Sequence, residues 1–179
     1  MTPESAIPAS SLRNIETITI AESNQPLFVP RGALAPGGQP GGAFSRYSRE
    51  AAKIGRRAEE IVYRYLKDNA KKMAAKEIRW IAREGLTPGW DLQYVDANGL
   101  LNAVEVKGTT GPLFGSVDIT IGEWSAALRM ADQFWLYLVA GCCGNRPQIQ
   151  CIQNLSNLVY SGHGELLPIV YRLILRASL

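Results

Sequence analysis

A change of apolar periodicity along the chain restricts its fold more than any other feature of the sequence. From residue 48 to about residue 73, apolar side chains recur at spacings of three and four, which is typical of an amphipathic helix. Short apolar runs follow, and we predict strands at residues 77–82, 91–95, 101–107 and 117–121. A second helix at residues 123–132 and a fully apolar strand at residues 134–140 come next. Further strands are predicted at residues 148–152 and 169–175.

Glycine, proline and asparagine residues separate these runs. Asn98-Gly99 lies between two of the predicted strands, where this dipeptide favours a tight hairpin. The order of helix, three strands, helix and strand predicts an α/β fold with a mixed sheet that helices flank on its faces.

The first 45 residues differ in character from the rest of the chain. They contain a dense group of glycines and prolines between Pro30 and Gly42, and such a stretch does not build a core. We therefore predict a flexible tail at 1–45, which would suit docking of a partner, and a compact domain at 46–179. Residues 15–20 alternate apolar and polar side chains, which fits an edge strand, a segment that adds to a partner's sheet, or equally an unstructured tail with a chance alternation.

Composition narrows the class of protein. The chain is 46% hydrophobic, as a globular domain of 179 residues requires, and it contains no apolar run long enough to cross a membrane. No signal peptide is recognisable, so a cytoplasmic protein is expected. The three cysteines, Cys142, Cys143 and Cys151, are an odd number, and we interpret them as free thiols.

Positive charge is concentrated in one segment although the net charge of the chain is only +3. Residues 46–83 contain twelve basic and five acidic side chains, a net charge of +7. This distribution indicates phosphate contact, although a solvated helix face gives the same count. The predicted nucleic-acid contacts on the first helix are Arg56, Arg57, Arg64, Lys67, Lys71 and Lys72.

The run from Val104 to Lys107 (VEVK) carries the chemistry. Side chains alternate across a strand, so Glu105 and Lys107 share one face while the valines occupy the other. A surface strand shows the same pattern. The predicted hairpin, however, brings Asp91 beside the end of the next strand, near Glu105 and Lys107. Two adjacent carboxylates favour a divalent cation with hard oxygen ligands, Mg²⁺ or alternatively Mn²⁺.

The first helix offers a third acid for this site. At about 100° per residue, Glu60 lies at the centre of the polar face, where it pairs with basic neighbours. Glu59 lies within about 20° of Leu66, at the margin of the apolar stripe. Because burying an unpaired carboxylate is costly, Glu59 requires a shared metal, Lys107 or a structural salt bridge as its partner.

Several of these runs, in this order, resemble the NO VEIN C-terminal domain family over residues 46 to 175. The resemblance is carried by Gly55-Arg56-Arg57-Ala58-Glu59, Gly89-Trp90-Asp91, Glu105-Val106-Lys107-Gly108, residues 120–124, residues 134–139, Ile152-Gln153-Asn154-Leu155 and Tyr171-Arg172-Leu173. It implies a restriction-endonuclease-like core of the PD-(D/E)xK superfamily, with Asp91, Glu105, Lys107 and Glu59 as the active-site residues. Asp91, Glu105 and Glu59 would then be the metal ligands.

Other candidate sites have simpler explanations. Thr120 and Glu123 have the spacing of a helix capping box, which we favour over a ligand role for Glu123. A zinc site from the cysteines and His163 has poor spacing.

The sequence therefore predicts a Mg²⁺-dependent endonuclease that hydrolyses DNA. An ATPase, a helicase, a defence-system subunit or a second copy of the chain would be its partner, and no membrane is involved. A non-catalytic nucleic-acid-binding or assembly module with the same fold, and an RNase, are the alternatives.

Overall fold

The computed structural model describes residues 18–28 and 49–167. Within these ranges the chain forms six strands and three helices: β1 (Ala21–Glu22), α1 (Arg49–Asp68), β2 (Lys76–Trp80), β3 (Leu92–Val95), β4 (Leu101–Gly108), α2 (Ile121–Met130), β5 (Phe134–Ala140), β6 (Gln148–Gln153) and α3 (Leu155–Tyr160). Short 3₁₀ turns follow β2 and α2. No helix in the described ranges is both long and apolar enough to span a membrane.

The strands form one mixed sheet in the order β1-β6-β5-β4-β3-β2. β4 pairs with β5 in parallel, across the connection that contains α2, and β1 pairs with β6 in parallel. The other neighbouring strands are antiparallel. The predicted α/β class with a mixed sheet and flanking helices is therefore confirmed.

Helix α1 forms because its apolar side chains follow the helical period. Ala58, Ile61, Val62 and Leu66 are fully buried against the sheet. Together with Val104 and Val106 of β4 they belong to one hydrophobic core. This packing fixes α1 over the central strand.

The opposite face of the sheet has its own core. Ala126 and Ala127 of α2 pack there with Phe134, Leu136 and Leu138 of β5. β5 is thus covered on both faces, as its uninterrupted apolar sequence predicted.

The predicted strand at residues 117–121 is wrong. Residues 116–120 have no regular secondary structure, and Ile121 begins α2. Val117 and Ile119 pack against the core of the second face, so their alternation reflects burial. Both pairing edges of β4 are occupied, by β3 and β5. The strand predicted at residues 169–175 lies outside the described residues.

Residues 18–28 pack against the domain although they belong to the predicted tail. Ile18 and Leu27 are buried, at 3% and 2% exposure. The Leu27 amide donates to the side chain of Gln150, and the Phe114 amide donates to the Leu27 carbonyl. The strand in this region is Ala21–Glu22, at the edge of the sheet, whereas Ile18 to Ile20 are not in a strand.

Candidate active site

The hairpin of β3 and β4 brings Asp91 to the centre of β4. Asp91 directly precedes β3, and Leu92 is opposite Val104 in the ladder. The Asp91 amide donates to the Val104 carbonyl at 3.0 Å, and the Val106 amide donates to Asp91 Oδ2 at 2.9 Å. The carboxylate therefore lies beside the backbone between Glu105 and Lys107, as predicted from the hairpin.

A close backbone contact with α2 also holds the segment that ends at Asp91. Gly89 has a φ of +104°, and a Cβ built on it would lie 2.6 Å from the Gly122 carbonyl oxygen at the start of α2. Only glycine fits such a contact at this backbone conformation. The Gly89-Trp90-Asp91 segment is thereby held against the first turn of α2.

Glu105 and Lys107 project from the face of β4 opposite to the valines, as predicted. Lys107 Nζ lies 2.7 Å from Glu105 Oε1 and 3.0 Å from Glu123 Oε2. The ammonium group therefore links a carboxylate of the strand to one from the first turn of α2.

Glu123 has two roles in this arrangement. Its side chain accepts from the Thr120 amide at 2.8 Å, and the Thr120 hydroxyl accepts from the Glu123 amide, so the predicted capping box is confirmed. The same Oε2 atom also accepts from Lys107. The sequence pattern predicted the cap and missed the ion pair, because the ion pair depends on how α2 packs beside β4.

Glu59 reaches the same region from α1, with a partner that the sequence did not suggest. Its Oε2 accepts from Trp80 Nε1 at 2.7 Å. Burial raises the pKa of Glu59, and the Trp80 hydrogen bond acts in the opposite direction. The hydrogen-bond partner of the Glu59 carboxylate is therefore the indole of Trp80, which belongs to β2.

Burial governs the ionisation of the central acids. Glu105 is only 3% exposed, and burial raises its pKa well above the usual value, with a further contribution from the charge of Asp91. Burial also raises the pKa of Asp91 from 3.8 to about 7, and the charge of Glu59 adds to this effect. For Lys107, burial favours the neutral amine, but the charges of Glu105 and Glu123 outweigh it and the pKa is raised.

These side chains line one open cleft of about 660 Å³. The ionisable side chains that line it are Glu59, Asp91, Glu105, Lys107, Asp118 and Glu123. The structure thus brings together all four residues that the sequence predicted for the active site, and it adds two acids that the sequence did not select for this role.

Comparison with known proteins identifies the family. The family described as Protein NO VEIN, C-terminal, matches residues 58–152. This chain belongs to that family. No curated protein and no solved structure shows a significant match.

The NO VEIN C-terminal match covers the elements that build the cleft. It extends from the middle of α1 into β6, and it includes Glu59, Asp91, Glu105, Lys107 and Glu123. The resemblance inferred from the sequence motifs is thereby confirmed at the level of the family.

The described part of this NO VEIN C-terminal family member contains no complete protein ligand set for a metal. Over residues 18–28 and 49–167, no group of three or more His, Cys, Asp or Glu side chains is arranged so that it could hold an ion. No such group is formed by the candidate zinc ligands Cys142, Cys143, Cys151 and His163, and the three cysteines are free thiols.

The basic face of α1 is only partly as predicted. Arg56 and Lys67 are exposed on α1, and Lys67 Nζ lies 5.3 Å from the centre of the Tyr63 ring. Lys71 and Lys72 are also exposed, but they lie in the turn after α1, because the helix ends at Asp68 and not near residue 73 as predicted. Arg64 pairs with Asp68, and Lys72 lies 3.5 Å from Glu22.

Arg57 departs from this face. Its side chain is only 7% exposed and pairs with Glu60 at 3.1 Å. Arg57 lies on the buried side of the helix, next to Ala58, so it does not belong to an exposed phosphate-binding surface. Glu60 does pair within the helix as expected.

Proposed function

We propose that this chain is a Mg²⁺-dependent endonuclease that hydrolyses DNA phosphodiester bonds on a restriction-endonuclease-like core. One observation carries the proposal: Asp91, Glu105 and Lys107 meet within one hairpin, at the wall of a cleft that is open to solvent. A buried and a partly buried carboxylate beside a protonated amine form a site whose charges suit a cation and a phosphate together.

The residues present fit a magnesium ion. Asp91 and Glu105 supply hard oxygen donors, and burial raises the pKa of both acids, so a divalent cation would replace the protons that they otherwise hold. Mg²⁺ commonly takes one or two protein carboxylates and completes its shell with water and substrate phosphate. Asp91 and Glu105 would hold the ion, whereas Glu59, which the sequence also suggested as a ligand, accepts a hydrogen bond from Trp80 and does not complete a three-residue ligand set with them. When bound, the ion neutralises phosphate charge and acidifies water.

Lys107 and the cleft account for the remaining steps. The charges around Lys107 keep its amine protonated, so it donates hydrogen bonds to the phosphate oxygens as negative charge develops on them. Glu105 and Glu123 hold the amine in place before substrate binds. The exposed cations of α1 would contact the backbone on either side of the bond that is cut.

A plasmid-cleavage assay with Mg²⁺ or Mn²⁺ tests the proposal. The variants Asp91→Asn, Glu105→Gln and Lys107→Met remove one group each with little change of shape. We expect each of them to lower the cleavage rate by about 10²-fold or more. Glu77→Gln and Lys76→Ala, at exposed positions of β2, are the matched controls and should cut as the wild type does. Equal cutting by all variants contradicts the proposal.

A second function is favoured by the ion pairs of Lys107. Because Lys107 already links Glu105 to Glu123, the cluster is neutralised in part without a cation, as in a non-catalytic DNA-binding or assembly module. That module predicts salt-sensitive DNA binding that survives Glu105→Gln, and no heat of Mn²⁺ binding by calorimetry. Mn²⁺ uptake by the wild type that Asp91→Asn abolishes supports the nuclease instead. Parallel assays on DNA and RNA of one sequence separate the DNase from the RNase.

A regulatory protein partner, an ATPase, helicase or defence-system subunit, is part of the same proposal, since a nuclease of low specificity requires control. The packing of Ile18 and Leu27 shows where to divide the chain to test it. Deletion of residues 1–17 removes sequence outside the packed segment. Loss of a co-purifying partner with unchanged thermal unfolding supports docking through this segment, and retention of the partner contradicts it.

A further inference from the structure

A second cleft of about 630 Å³ lies beside the first, between α1 and the end of β2. Ala52, Gly55 and Glu59 line both clefts. The two spaces therefore meet along one side of α1, and an extended ligand held at Asp91 and Glu105 would continue into the second cleft.

The walls of the second cleft are cationic and aromatic. Arg56 of α1 and Arg83, which follows β2, are exposed side chains at its margin. Arginine stays protonated at any physiological pH, so both residues offer a permanent positive charge. The cleft also contains Trp80, and the Arg83 guanidinium lies 5.4 Å from the centre of that indole ring.

The Trp80 ring is held in a fixed orientation. Its Nε1 donates to Glu59 at 2.7 Å, and Tyr63 packs against it with 5.5 Å between the ring centres. Both an indole ring and a guanidinium plane are surfaces on which unpaired bases stack. The Trp80 ring and the Arg83 guanidinium therefore form such a stacking surface before any ligand binds.

Gly55 leaves the passage between the clefts open. It lies inside α1, where glycine is less favourable than alanine, and a Cβ built on it meets no atom within 4 Å. Internal packing therefore does not require glycine at this position. Because Gly55 has no side chain, the helix surface is lower at this position, between the two clefts.

We propose that the second cleft binds an unpaired nucleotide of single-stranded DNA, adjacent to the phosphate at the acidic cleft. The base stacks on the pair of Arg83 and Trp80, and Arg56 contacts the backbone phosphate. The inference rests on the proposed function for the identity of the ligand as nucleic acid. It deepens that function, because a stacked base selects single-stranded or locally opened DNA over an intact duplex.

Fluorescence anisotropy in EDTA tests this without any cleavage. The probes are labelled oligothymidylate of about 12 nucleotides, within the usual site sizes for such grooves, and an abasic strand of the same length. We expect the wild type to prefer the strand with bases by about tenfold, the usual contribution of one stacked base. Arg83→Ala and Trp80→Leu should lose this preference, whereas Trp80→Phe, which keeps a ring, should retain most of it.

Arg56→Ala supplies an independent readout. It should keep the preference for bases and reduce the slope of log affinity against log salt by about 0.7, the value for one lost phosphate contact on a single strand. Arg129→Ala, an exposed position on α2, is the control and should change neither quantity. Thermal unfolding of each variant identifies any loss of structure.

Two results would overturn the inference: equal affinity of the wild type for both strands, or a preference that persists in Arg83→Ala and in folded Trp80→Leu. Failure of the proposed function is a different result. In that case the preference for bases is present and lost in the variants, while no metal supports cleavage of any substrate.

Discussion

Asp91 is a partly buried acid whose pKa is raised from 3.8 to about 7, chiefly by its desolvation and next by the charge of Glu59. Between pH 3.8 and about pH 7, Asp91 therefore holds a proton in the folded metal-free protein that it releases in the unfolded chain. The free energy of unfolding therefore falls as pH rises through this window. One such group contributes a slope of up to about 1.4 kcal/mol per pH unit.

Asp91→Asn should remove that contribution. We expect the metal-free variant to be more stable than the wild type at pH 8 and to show a shallower decrease between pH 4 and 7. Some slope persists, because Glu105 also has a raised pKa. Urea unfolding in EDTA across this range measures the effect, with Glu77→Gln as the exposed control. A variant that is less stable than the wild type at pH 8 contradicts the prediction.

Thr120 caps α2 through its hydroxyl, which accepts from the Glu123 amide. Thr120→Ala should lower the free energy of unfolding by about 0.5–2 kcal/mol, because a helix amide loses its partner. Thr120→Ser keeps the hydroxyl and should stay close to the wild type in the same denaturant titration. An equal loss in both variants would show that the methyl group, rather than the cap, stabilises this end of the helix.

The site residues differ in how far sequence alone could place them. Asp91, Glu105 and Lys107 belong to one hairpin, so alternation along a strand and one turn dipeptide were enough to bring them together. The partners of Glu59 and Lys107 are Trp80 and Glu123, which are 21 and 16 residues away and belong to other elements. Those contacts depend on how the helices pack on the sheet, which side-chain periodicity does not report.

At the scale of elements, the approach of α1 to β4 depends on Gly108. A Cβ built on this glycine would lie 2.5 Å from Ala58 Cβ and 3.3 Å from the Ile54 carbonyl oxygen. Because Ala58 is fully buried in the helix, neither side can move away without a shift of α1.

Gly108→Ala should therefore destabilise the domain by about 1–3 kcal/mol, the usual cost of overpacking. Chemical denaturation measures this loss, and Gly55→Ala is the matched control, since the space beside Gly55 is open. The control should raise stability by about 0.5–1 kcal/mol because alanine favours the helix. Similar stability of Gly108→Ala and the wild type would contradict the close packing.

The elements with a clear period were predicted closely, and the failure at residues 117–121 has a physical cause. Apolar alternation reports which side chains are buried, whereas a strand also needs a neighbour with free backbone groups. Both neighbours of β4 are already in place, so the segment that leads into α2 buries Val117 and Ile119 without joining the sheet.

At the scale of the whole molecule, residues 18–28 lie along the outer edge of β6 and connect this strand to the segment around Phe114. Leu27 is 2% exposed, and its backbone bonds connect Gln150 of β6 to Phe114. We expect Leu27→Ala to lower the free energy of unfolding by about 2–5 kcal/mol, as for other buried leucines.

Differential scanning calorimetry of Leu27→Ala, compared with the exposed Pro26→Ala, tests this expectation. A loss in Leu27→Ala alone shows that the segment is part of the domain. Equal melting temperatures for Leu27→Ala and the wild type would instead favour the division into tail and domain at residue 45 that the glycine and proline content of the sequence predicts.

The parallel pairing of β1 with β6 also determines how the molecule would respond to mechanical load. A partner pulling on the chain ahead of Ile18 would load first the buried Ile18 side chain and the short β1 pairing, which has two residue pairs, Ala21 with Gln148 and Glu22 with Ile149. Detachment of β1 would start at this short pairing with β6. Since β5 lies between β6 and β4, the β3-β4 hairpin that carries Asp91 and Glu105 would be strained only after β6 and β5.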